Sequence, residues 1–110
     1  MENIIINLND FRTEGSKVFT GRDRGIQVRK DSNIDNLLNE NKNIEIIIPE
    51  DIRSINPSFL EEFLLNAVRK FGKNLFFEKV KFTNPGKYHI GDDIEEAVDS
   101  ILREKNGLTS

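Results

Sequence analysis

Two isoleucine-rich runs constrain this chain more than any other feature. Asn3-Ile4-Ile5-Ile6-Asn7-Leu8 and Ile44-Glu45-Ile46-Ile47-Ile48 are dense in β-branched side chains, which are stiff at χ1 and suit a pleated surface. Both are too short for a helix and are bounded by Asn or Pro, so both read as strands. Three consecutive Ile in the first run predict burial on both faces, which places it inside a sheet. Pro49 stops the hydrogen-bond ladder of the second run. Together the two runs predict the centre of one sheet.

The intervening segments carry helical periodicity. Asp31-Ser32-Asn33 offers N-cap chemistry ahead of Ile34, Leu37 and Leu38, predicting a short helix that ends near Asn41. Ser54 or Asn56 can cap a longer helix in which Pro57 fits the first turn. In it Phe59, Leu60, Phe63, Leu64, Ala67, Val68 and Phe71 make one broad apolar stripe. Glu61 and Glu62 in the first turn and Arg69 and Lys70 in the last match the helix dipole, and Gly72 is a stop signal. Lys79-Val80-Lys81-Phe82-Thr83 alternates like a strand with one wet face. Asp92 with Glu95 reads as a capping pair for a last helix with stripe Ile94, Ala97, Val98, Ile101, Leu102. Residues 10–33 read as strand plus loop, with Val18-Phe19 and Ile26-Gln27-Val28 as short strands or the second as a helix start. The sum predicts a single α/β domain over 1–110: a mixed sheet of four to five strands, with about three helices packed mainly on one face.

Composition excludes several function classes. Among 110 residues there is no Cys and one His, so a disulfide scaffold, a thiol nucleophile and a multi-histidine metal site are out. No metal and no cofactor is expected. No window holds the roughly 20 apolar residues of a membrane span, and no signal-peptide pattern is seen; the expectation is a soluble cytoplasmic domain without membrane contact. Net charge is −3, which argues against a general nucleic-acid coat. The charge is uneven: residues 12–30 hold six Lys or Arg against two acids, and residues 91–110 hold two against six.

Two short motifs carry the functional reading. The first is Asn56-Pro57-Ser58-Phe59-Leu60-Glu61-Glu62, where a buried strand hands over to a long helix. Free backbone N–H groups and the positive dipole end favour anions there, so a phosphorylated Ser58 would be tolerated, against repulsion from Glu61 and Glu62. The simpler alternative is that Ser58 bonds a backbone group in the first turn. The run Ser58-Phe59-Leu60-Glu61-Glu62, with Ala67-Val68-Arg69 and Gly72 beyond it, resembles the signature of the prokaryotic STAS-like family, named for sulfate-transporter and anti-sigma-factor-antagonist domains. The likeness covers residues 44–72 and, in element order alone, the flanks. It implies a non-enzymatic regulatory module that binds another protein, with Ser58 at the position that a histidine-kinase-type ATPase phosphorylates in antagonists. Where antagonists carry an Asp-Ser-Ser-Gly-type run, this chain has Asn56-Pro57-Ser58-Phe59, and Phe59 is expected to turn into the core.

The second motif is Gly21-Arg22-Asp23-Arg24-Gly25, with Arg29 and Lys30 beyond it and Arg12 and Lys17 before. Two glycines around two arginines predict a flexible loop with a concentrated positive field, suited to phosphate or carboxylate. That makes Arg22, Arg24, Arg29, Gly21 and Gly25 candidates for binding a nucleotide, a nucleic-acid backbone or an acidic partner. The alternative is a solvated turn whose arginines pair with Asp23, Glu14 or the acidic last helix. It lacks the Lys-Ser/Thr of a Walker loop. Protein binding is the first reading, anion binding the second, and a homo-oligomer is left open. His89 is expected on the surface, the acids from Asp92 to Asp99 on a solvated face, and Leu75-Phe76-Phe77 over an end of the core.

Overall fold

The computed structural model describes residues 3–84, 86 and 90–107. In chain order the elements are β1 (Asn3–Asn7), a 3-10 turn (Leu8–Phe11), β2 (Val18–Phe19), α1 (Arg22–Ser32), α2 (Ile34–Asn39), β3 (Asn43–Ile47), β4 (Ser54–Ile55), α3 (Pro57–Lys79), β5 (Val80–Thr83) and α4 (Gly91–Gly107). His89, Tyr88 and Pro85 lie outside the described residues.

The isoleucine runs form β1 and β3, paired in parallel from Asn3 opposite Asn43 to Asn7 opposite Ile47. β5 adds to the far edge of β3, again in parallel, giving the order β1-β3-β5. The α/β class and the strands β1, β2, β3 and β5 follow the sequence reading, whereas Ser54–Ile55, where Ser54 is expected as a helix cap, is strand β4, and the five strands divide between two sheets. β2 and β4 pair with each other, Val18 opposite Ser54 and Phe19 opposite Ile55. Every described strand pairing is parallel, so no mixed sheet forms among the described residues. The physical reason lies in the connections. After β1 the 3-10 turn lifts the chain off the sheet, and after β3 a turn closed by Ile52 N–H donating to Pro49 O does the same.

The topology repeats where the sequence does not: a strand, a two-residue strand, then helix, once through β1, β2 and α1–α2, and again through β3, β4 and α3. The two helical stretches run side by side in the same direction. Gly25 of α1 meets Phe59 of α3, Asp35 of α2 meets Asn66, and Asn39 meets Lys70. One core cluster draws on every helix and strand, with Phe19, Phe59, Phe63 and Phe76 fully enclosed. Phe59 turns inward as expected and bridges Phe19 (ring centroids 5.1 Å apart) and Phe63 (5.8 Å).

The structure corrects several expectations. The central sheet is not buried on both faces: Ile6, Ile44, Ile46 and Val80 face the core, while Ile5 on the opposite face is 58% exposed. Residues 22–32 are helix, not strand plus loop, and Asp31 and Ser32 end α1 instead of capping α2. Asn33, at φ 62°, is the left-handed joint between the two helices, and its side chain accepts from Asn36 Nδ2 (2.8 Å). α3 continues past Gly72, which breaks the helix at φ 77°, ψ 171°, into a second segment that buries Phe76. Counted from the start of α3 at Pro57, Glu61 and Glu62 lie beyond the first turn, which holds no acid. α4 starts at Gly91, so Asp92 lies inside its first turn.

Candidate functional site

The two-residue sheet sets the starts of α1 and α3 beside each other. Arg53 N–H donates to Lys17 O (2.8 Å) and Asn56 N–H donates to Phe19 O (2.8 Å), extending the β2–β4 pairing at both ends. Each strand then releases into a helix within three residues, so both helix N-termini emerge at the carboxyl edge of the same short sheet. There the two sequence motifs, more than 30 positions apart, form one surface.

Asn56 is the N-cap of α3: its Oδ1 accepts from Ser58 N–H (2.9 Å) and from Ser58 Oγ (2.6 Å). Pro57 occupies the first helical position, where a missing N–H removes no helical bond. Ser58 is half-buried, with its hydroxyl held by Asn56 and not by a backbone group. Glu61 turns toward α4 and accepts from Ser100 Oγ (3.1 Å). Glu62 faces α1.

Gly21 to Gly25 do not form a flexible loop. Gly21, at φ 94°, is the N-cap of α1, and Arg22 through Gly25 are its first turn. Gly25 owes its identity to helix packing: a Cβ there would stand 2.5 Å from Phe59 O and 2.9 Å from Glu62 Cβ. The arginines also differ from the expected solvated turn. Arg22 Nη1 lies 3.6 Å from Glu62 Oε1, Arg29 Nη1 donates to Glu62 O (2.7 Å), and Arg24 Nη2 donates to Thr13 Oγ1 (2.6 Å). Glu62 thus anchors two of the three arginines by its side chain and its carbonyl. Thr20, Gly21, Arg22, Asp23, Arg24 and Gln27 surround an open hollow of about 420 Å³ at the α1 tip.

A clamp missed in the sequence stands behind this surface. Arg12 donates to both carboxylate oxygens of Asp51 (2.8 and 3.0 Å) and also to Ser16 O. That hydrogen bond holds the Asp51 carboxyl below its ordinary range and the Arg12 guanidinium above its own, with desolvation opposing both shifts. It ties the segment before β2 to the segment before β4. The sequence signal was faint, one Arg and one Asp 39 positions apart. Elsewhere, Asp99 (2.9 Å) and Glu95 (3.4 Å) engage Lys73 and raise its pKa. No group of His, Cys, Asp and Glu among the described residues is arranged to hold a metal ion, and no described helix is long and apolar enough to cross a membrane.

No family model, no curated protein and no solved structure matches this chain.

Proposed function

We propose that the chain is a non-catalytic regulatory module of STAS-like type that binds a partner protein through the paired starts of α1 and α3, with Ser58 as a phosphoacceptor. The observation that carries the reading is the position of Ser58: second residue of α3, half-buried, at the carboxyl end of a parallel strand, with its hydroxyl bonded to Asn56. Phosphorylation exchanges that bond for a dianion at a helix start, where the dipole and the first-turn N–H groups favour it. The pairing of Glu62 with Arg22 removes part of the repulsion that the sequence alone would assign to Glu61 and Glu62. Gly21 and Asn56 present two helix tips on one surface, a shape suited to docking against another protein.

Affinity for a histidine-kinase-type ATPase domain tests this. Ser58→Asp is expected to weaken binding about tenfold or more, roughly 1.4 kcal/mol, while Ser58→Ala binds like the wild type. Equal affinities for all three proteins discard the switch. Anion binding through Arg22, Arg24 and Arg29 is the less supported reading, because Arg24 and Arg29 already serve the chain's own packing. Retardation of DNA or RNA at low salt that falls with each Arg removed would favour it instead.

A further inference from the structure

We propose that β1 is a self-pairing edge through which two copies of this chain associate, joining their three-stranded sheets into one. β1 is the outer strand in the order β1-β3-β5 and pairs only with β3 among the described residues. Its backbone groups that point away from β3 form no described hydrogen bond to another segment. Such an edge is normally blunted by charge, Pro, a bulge or a covering element. This one has none of the first two: it reads Asn-Ile-Ile-Ile-Asn over residues 3–7.

Three observations select a second copy as the occupant. The run is a palindrome. An antiparallel pair about a two-fold axis at Ile5 sets Asn3 opposite Asn7 of the other copy, Ile4 opposite Ile6, and Ile5 opposite Ile5, so each residue meets its own kind. Cross-strand Ile pairs are favourable, and with no charge in the strand no like charges face each other. The charge layout of the open sheet face agrees. Ile5, Glu45 and Lys81 lie in one row across β1, β3 and β5, so the joined sheet carries Lys81, Glu45, Ile5 and then the same series reversed. Apolar side chains meet at the centre and charges stay at the flanks. Finally, a purely parallel sheet is ordinarily covered on both faces, yet Ile5 is 58% exposed. Self-pairing brings the two most exposed large apolar side chains of the sheet together.

A five-residue edge buries little area, so the association is expected to be weak and concentration-dependent. Sedimentation velocity on the full chain should show the mass rising from 12.7 kDa toward twice that value with concentration. Ile5→Lys should stay at 12.7 kDa with an unchanged circular dichroism spectrum. In one copy the new Lys neighbours Glu45, but across the axis two Lys would face each other. The chain has no Cys, which permits a positional check. Under mild oxidation Ile5→Cys should give a covalent dimer, and Asn3→Cys should cross-link with Asn7→Cys but not with itself. A wild type that remains at 12.7 kDa at every concentration overturns the proposal, and so does a dimer that persists in Ile5→Lys. β1 contains no residue of the Ser58 surface, so the partner-affinity comparison stands or falls separately.

Discussion

At the residue scale, identical residue types carry unlike duties, and the duty follows the local geometry. Gly21 takes a positive φ at the start of α1, whereas Gly25 is there because α1 and α3 touch. Gly25→Ala separates a loop glycine from a packing glycine. In a solvated loop the change would be neutral or stabilising, since Ala restricts the unfolded chain. Here the added methyl meets the Phe59 carbonyl, so a loss of about 1–3 kcal/mol is expected by urea denaturation. A gain in stability would mean that the two helices do not approach at this point. Asn56 and Pro57 were readable beforehand because a cap and a first-turn proline act over two or three residues. The partner of Arg29, a carbonyl on another helix 33 positions away, left no local trace.

At the element scale, the strong periodic segments were legible and the weakly amphipathic one was not. α3 shows its stripe in the sequence, and every member from Phe59 to Val68 is buried. α1 buries only Gly25 and Val28 of its eleven residues, so it lacks the stripe by which a helix is recognised. Its end signals were present, Asp23 in the first turn and Arg29 and Lys30 in the last, but Gly21 at its N-cap and Gly25 within it read as breakers. Gly72 was a correct stop signal that ends one helical segment without ending α3. At φ 77° and ψ 171° it occupies a region essentially restricted to glycine, so Gly72→Ala is expected to cost about 1–3 kcal/mol. Thermal or urea unfolding measures this, and an unchanged midpoint would mean that the helix runs through unbroken.

At the scale of the whole molecule, the two topological units are tied by the β1–β3 pair, the β2–β4 pair and the Arg12–Asp51 clamp. The clamp is pH-dependent. Its folded-state carboxyl titrates lower than the unfolded one, so its contribution is present above the ordinary carboxylate range and is lost as pH falls through the lowered value. Wild type is therefore expected to exceed Asp51→Asn in Tm at neutral pH, and the gap should close on acidification. A gap that is constant with pH would place the effect elsewhere than in this ion pair. Local pattern alone accounts for the α/β class, the strands β1, β3 and β5, the cap and stripe of α3, and the inward turn of Phe59. Those features rest on side-chain branching, hydrophobic period and first-turn hydrogen bonding, all of which act within a few residues. Long-range packing is what splits the strands into two parallel sheets, leaves one face of the central sheet open, and brings residues 21–25 and 56–62 onto one surface. Those outcomes depend on contacts 30 to 40 positions apart, such as Gly25 against Phe59 and Arg12 against Asp51, which no local pattern encodes.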